Sequence, residues 1–246
     1  MHSKKAELPY IIFADGASSG NPGPSGWGAI LASPTGQVLE LGGRQSSSTN
    51  NRMELTAVLR ALEHIKRDET IPIQIYTDST YVIRGITQWI WNWKRNGWKT
   101  AEGNEVVNAD IWQDLSNATL GKKIQWCHVR GHSGIPGNER VDEIAVAFSR
   151  GTHPALFHGP LLRYDIPIHD LPESTSLPPM RPKNQKSAPA YSYLSLVNHS
   201  PKRHTTWAEC EARVKGRSGA KFKKALSQEE ETSILRSWGF SQKDLI

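Results

Sequence analysis

The chain has 246 residues, 37% of them hydrophobic and 22% charged, with a formal net charge of +6 at pH 7. Its longest apolar runs are far too short for a membrane-spanning helix, and the start Met1-His2-Ser3-Lys4-Lys5-Ala6-Glu7 lacks the apolar core of a secretion signal, so no membrane contact and a cytoplasmic location are expected. Two cysteines, Cys127 and Cys210, are too few for a disulfide framework or a metal cluster and read as buried or half-buried thiols.

From Pro9 to about Arg150 the pattern predicts an α/β domain. Three strands near 9–15, 25–33 and 36–43 are joined by turn-rich pieces, Gly20-Asn21-Pro22-Gly23-Pro24 and Ser33-Pro34-Thr35-Gly36, and should form an antiparallel meander. A helix over Asn51–Lys66 follows, with Met53, Ala57, Leu59, Ala61, Leu62 and Ile65 on its apolar face and Asn50 or Asn51 as cap. The strand Ile71–Asp78 returns by a crossover and should pair in parallel with an earlier strand. Residues 79–121 read as mostly helical. A last strand, Lys123–Val129, leads through a glycine-rich loop to a helix over Pro136–Ser149.

Between residues 151 and 190 prolines are dense and apolar spacing is aperiodic, which predicts an extended, semi-stiff linker in which Leu161-Leu162-Arg163-Tyr164 could pack locally on the first domain. Residues 191–246 read as a small α+β module: alternating Tyr191, Tyr193, Ser195 and Val197, a helix over Trp207–Val214, a strand around Lys221–Leu226 and a helix over Gln228–Trp238. The stretch Val197–Lys224 holds eight Lys and Arg against two Glu, which accounts for the whole net excess and is the footprint of a polyanion binder.

Four acidic residues stand out. Asp15 and Asp78 each end an apolar strand-like run, at predicted strand tips, whereas Glu54 and Asp142 fall on predicted helices. Separately each has a blander reading: Asp15-Gly16 as a turn, Asp78 as a helix cap, the other two as solvated helix positions. Gathered at one spot, four carboxylates would repel one another and raise their own pKa values unless cations lay between them.

The motifs that hold these acids resemble the type 1 ribonuclease H family. The matching segments are Phe13-Ala14-Asp15-Gly16, Gly20–Gly28, Thr49-Asn50-Asn51-Arg52-Met53-Glu54-Leu55, Tyr76-Thr77-Asp78-Ser79, Gly85–Ile90, Gly97–Thr100, Gly131-His132-Ser133-Gly134 and Asn138–Glu143, in family order across residues 1–150. The resemblance implies a five-stranded mixed sheet flanked by helices. It implies hydrolysis of the RNA strand of RNA/DNA hybrids to 5′-phosphate and 3′-hydroxyl ends, with two Mg²⁺ ions per site, Mn²⁺ as a substitute, held by Asp15, Glu54, Asp78 and Asp142. His132 matches the family's flexible histidine and would serve proton transfer or product release.

For the substrate, the resemblance gives Asn21, Asn51 and Glu54 contacts in the minor groove, and gives Thr49 and Asn108 a grip on a DNA-strand phosphate. Thr80 stands where some relatives carry glutamine and Ser47 where some carry arginine. The stretch Trp89–Lys99 matches the family's basic handle, with Trp89, Trp93, Lys94, Arg95 and Lys99 as contacts and Trp91 or Trp98 expected to be partly buried.

The last module, 191–246, resembles the hybrid-binding, viroplasmin-like domain of eukaryotic relatives, through Tyr193, Thr206–Cys210, Val214–Gly216 and Gly219–Lys224. Trp207, Phe222, Lys223 and Lys224 would then touch hybrid or double-stranded RNA, with Tyr193 in support and core packing as the competing reading. That domain ordinarily precedes the nuclease, and here it follows. The expected protein is a monomeric enzyme; a non-catalytic binder of hybrids or double-stranded RNA, and a DNA-cutting enzyme of the same broad fold, are the alternatives.

Overall fold

The computed structural model describes residues 8–179, 190–217 and 219–245. The chain divides into two compact units, Met1–Pro178 and Pro179–Ile246. The expected linker residues 180–189 lie outside the described residues. No helix among the described residues is long and apolar enough to cross a membrane.

In the first unit, β1 (Tyr10–Ser18), β2 (Gly23–Ala32) and β3 (Gln37–Ser48) form the expected antiparallel meander. After α1 (Asn50–Glu63), β4 (Ile73–Thr77) pairs in parallel with β1, and β5 (Ile124–His128) pairs in parallel with β4. Between β4 and β5 run α2 (Thr80–Arg84), a short π-helix over Gly85–Trp89, α3 (Ile90–Arg95) and α4 (Ala109–Thr119); α5 (Pro136–Ser149) follows β5. Alternation along β1 sorts the core into two layers. Ile12 and Ala14 pack with α1 and α4, whereas Ile11 and Phe13 face Val141 of α5.

The sheet has six strands rather than five, in the order β5-β4-β1-β2-β3-β6. The sixth, β6 (His158–Pro160), comes from the segment expected as linker and pairs antiparallel with the outer edge of β3. The cause is a buried carboxylate. Glu40 on β3 accepts bonds from Arg140 Nε (2.8 Å) and Nη2 (3.0 Å), the Phe157 amide (2.9 Å) and the Tyr164 hydroxyl (2.6 Å). Burial alone would raise Glu40, but Arg140, Tyr164 and the Phe157 amide together hold it below the usual carboxylate range. Beyond Tyr164 the chain stays on the unit and sinks Ile168 completely into the α5-side layer. The expected local packing of 161–164 is therefore part of a longer attachment.

In the second unit, β7 (Ser192–Val197) is flanked by β8 (Ser200–His204) and β9 (Lys221–Ala225) in an antiparallel sheet, with α6 (Trp207–Val214) and α7 (Gln228–Ser237). Strand β8, Ser-Pro-Lys-Arg-His, is absent from the sequence reading because it has no apolar alternation to betray it. Leu194, Ala225, Ile234 and Leu235 form the small core, joined by Trp238 and Phe240. Both thiols, Cys127 in the first unit and Cys210 in the second, are free and buried.

Candidate active site

Asp15 sits within β1, three residues before its end rather than at its tip, and Asp78 immediately follows β4. The first turns of α1 bring Glu54 over β1. This close approach depends on Gly16, where a methyl group would overlap the backbone of Met53 and Glu54. Gly28 does the same for α5, since a methyl there would press on the Val141 carbonyl and the Ile144 side chain. One carboxylate oxygen each from Asp15, Glu54 and Asp78 lies within 4.8 Å of the others. Asp142, half-buried on α5, stands outside that trio, yet its charge acts on both Asp15 and Asp78.

Asp15 and Glu54 are only 7% and 8% exposed. Burial pushes the Asp15 carboxyl up to about 8, with Asp78, Asp142 and Glu54 adding to the rise against a 2.7 Å hydrogen bond from the Gly16 amide. Burial likewise raises Glu54, against bonds from Ser79 and Asn50 and reinforced by Asp78. Asp78 rises by burial and by Asp142, opposed by His128 and His132. The donors are oxygens, buried or half-buried and mutually repelling, a set that fits hard divalent cations such as Mg²⁺ or Mn²⁺.

Two orienting residues escaped the sequence reading. Asn50 Nδ2 donates to Glu54 Oε1 at 2.8 Å, and the Ser79 hydroxyl donates to Glu54 Oε2. The signal for Asn50 was its place four residues before Glu54 on one helix face. Ser79, not Asp78, caps α2 by accepting from the Val82 amide at 3.2 Å, which removes the capping explanation for Asp78. Thr49, not Asn50 or Asn51, caps α1 by accepting from the Arg52 amide at 3.3 Å. His128, also unforeseen, places its charge against Asp78.

His132 is exposed at φ 52° on the loop after β5, and its charge reaches Asp78. Asn21 Oδ1 accepts from the Asn50 amide at 3.3 Å, whereas Asn51 is exposed at the start of α1. Asn108 adopts a left-handed conformation before α4. Its Oδ1 accepts from Arg52 Nη1 at 3.4 Å, and its buried Nδ2 has no partner among the described residues. Arg52 is also bound by both Asp110 oxygens, at 3.0 and 2.5 Å. Ser47 is exposed and Thr80 half-buried.

On the protrusion, Trp89 and Trp93 lie 5.8 Å apart and Trp93 packs on Trp112 at 5.4 Å. Both are half-buried and share a groove with Asn92, Asn96, Lys99 and Ala101. Trp98 is half-buried as expected, but Trp91 is 64% exposed, and Lys94 lies over its ring at 5.8 Å, outside that groove. Arg95 donates to the Asn92 side chain.

In the second unit Trp207 bridges Tyr193 at 5.8 Å and Phe222 at 5.3 Å. Trp207 and Phe222 are 38% and 51% exposed and lie outside the small core, against the core-packing alternative. Lys224 pairs across from Tyr193 on the face of Phe222, whereas Lys223 pairs across from Leu194 and projects from the other face.

The model described as RNase H matches residues 7–150, and the model described as Ribonuclease H1 N-terminal domain matches residues 199–230. Among curated proteins, a Ribonuclease H of Cyanothece sp. is 51% identical over 145 residues, which cover 59% of this chain and 92% of that protein. A Ribonuclease H of Dechloromonas aromatica is 54% identical over 140 residues, covering 57% and 93%. Among solved structures, LC9-RNase H1, described as a type 1 RNase H with the type 2 active-site motif, aligns with a TM-score of 0.54 at 29% identity over 64% of this chain and 80% of that one.

Proposed function

Because the chain belongs to the ribonuclease H family, we propose that it cuts the RNA strand of RNA/DNA hybrids endonucleolytically, leaving 5′-phosphate and 3′-hydroxyl ends, with two divalent ions held by Asp15, Glu54, Asp78 and Asp142. The observation that carries this reading is the trio of buried Asp15 and Glu54 with half-buried Asp78, oxygens within 4.8 Å, with Asp15 pushed up to about 8. Such a cluster is unfavourable by itself and serves no purpose in a protein that only binds. Bound Mg²⁺ or Mn²⁺ would supply activation of the attacking water and stabilisation of the leaving 3′ oxygen.

The chain's own groups have separable tasks. Asn50 and Ser79 fix the two oxygens of Glu54, so that it meets the cation and a 2′-hydroxyl in one orientation. His132, exposed and near enough for its charge to act on Asp78, carries protons to or from the reacting oxygens or eases product release. Asn21 and Asn51 read 2′-hydroxyls across a wide minor groove. The unpartnered Asn108 amide, with Thr49, takes a phosphate of the DNA strand, and the nearby Arg52 adds positive charge. Trp89, Trp93 and Lys99 grip the same strand further along, with Lys94 and Arg95 adding long-range attraction.

The second unit, residues 191–246 as a functional module, binds hybrid or double-stranded RNA through Tyr193, Trp207, Phe222 and Lys224, with Lys223 contributing charge from the opposite face. Its tether raises the local concentration of substrate. The protein acts as a monomer in the cytoplasm. The test is incubation of labelled RNA/DNA, RNA/RNA and DNA/DNA duplexes with Mg²⁺ and either the wild type or Asp78→Asn. Cleavage confined to the hybrid and lost in the variant is expected; cut DNA, or an active variant, would refute the reading.

A further inference from the structure

The family match ends at residue 150, yet the compact unit runs on to Pro178. The added segment is attached in two distinct ways. Its first half is a clasp, in which β6 extends β3 and Phe157 and Tyr164 bind the buried Glu40. Its second half leaves Ile168 in the core and arrives at the otherwise open side of β5, at the catalytic end of the sheet. There the Thr175 carbonyl accepts the His128 amide at 3.0 Å, and the Pro178 carbonyl accepts the guanidinium of Arg84, itself 9% exposed.

Both anchor points belong to short segments that carry site residues. His128 ends β5 four residues before His132, and α2, which Arg84 ends, begins two residues after Asp78. Between these segments space is tight: a methyl group on Gly131 would come within 2.6 Å of Asp78 Oδ2. A small relative slip of β5 and α2 would therefore move the Asp78 carboxylate and the His132 loop against each other.

We propose that residues 174–178 form a latch that, with Arg84 as a positioning residue, fixes Asp78 relative to the His132 loop, so that the working catalytic unit is the chain to Pro178 rather than to residue 150. This rests on the nuclease reading above. The clasp at Glu40 serves stability and the latch serves geometry.

The test compares full-length wild type with Arg84→Ala, Arg84→Lys, a chain with residues 174–178 replaced by glycine, and Tyr164→Phe as the clasp control. Cleavage of a hybrid is followed as kcat and KM over a Mg²⁺ titration, Mg²⁺ binding is measured by calorimetry without substrate, and folding is followed by Tm. The latch variants Arg84→Ala and the glycine replacement should lose about tenfold in kcat and in Mg²⁺ affinity, the scale expected when groups supporting metal ligands are removed. Their KM should stay unchanged and Arg84→Lys should recover part of the loss, while Tyr164→Phe lowers Tm and leaves kcat and Mg²⁺ affinity alone. Latch variants that lose only Tm, or a clasp variant that loses kcat to the same degree, would overturn the proposal. A wild type that fails to cut the hybrid would instead sink the nuclease reading, and the calorimetric Mg²⁺ affinities would then decide the latch by themselves.

Discussion

Around Asp15 the charged groups are withdrawn from water, whereas in the second unit Trp207, Phe222, Lys221 and Lys223 are turned toward it. The two regions gain their chemistry from opposite treatments of solvent. Burial raises the carboxylates and makes a cation welcome, so the first region is a site that is electrostatically incomplete alone. The second is complete alone: its aromatic triad keeps its geometry through ring contacts, with a small separate core beneath. Substitutions in the first region should therefore act on chemistry and on metal dependence, and those in the second on affinity and its salt dependence.

The sharpest way to break that division is Asp78→Asn. It should lower kcat by about 10²–10³-fold, the scale of losing one electrostatic stabiliser from a preorganised site, with hybrid affinity held by the second unit; equal losses in both would blur the distinction. Gly16→Ala comes next. Forcing a methyl between β1 and α1 should cost about 1–3 kcal/mol of stability by overpacking and, by displacing Glu54, most of the activity, read by thermal melts and Mg²⁺ titration.

Trp207→Ala and Phe222→Ala should each weaken hybrid binding by roughly tenfold, given about 1–3 kcal/mol per stacked base, with kcat at saturation unchanged; filter binding across a salt series measures it. The last effect concerns pH. The Asp15 carboxyl is raised from 3.8 to about 8 in the folded chain, so between those values the folded state holds a proton that the unfolded state has released. Metal-free Tm should then fall as pH rises from about 5 to 8. Asp15→Asn should flatten the slope and raise Tm at the alkaline end, whereas variants of Trp207 should leave it unchanged.

Much of the first unit was legible because its periodicities are clean. Ile11 to Ala14 alternate between two layers, α5 has the bounds its pattern predicts, and the four acids lie in ordered motifs. What stayed hidden depends on single long-range contacts. Nothing in His158-Gly159-Pro160 announces a strand, since the pairing is imposed by Glu40, more than a hundred residues away. Ile168 lies among prolines without a periodic neighbour, yet it is fully buried. The cap of α1 was misjudged because Thr49 stands beside two asparagines equally able to cap, and only backbone geometry separates them.

The two sequestered sulfurs offer an internal clock for each half of the chain. Cys127 is sealed beneath Tyr76 and Val129, and Cys210 faces the Leu194 carbonyl, so neither reacts with a bulky thiol reagent until its own unit opens. A single alkylation time course followed by peptide mapping would thus report two opening rates from one unmodified polypeptide, and Mg²⁺ should slow only the labelling of Cys127.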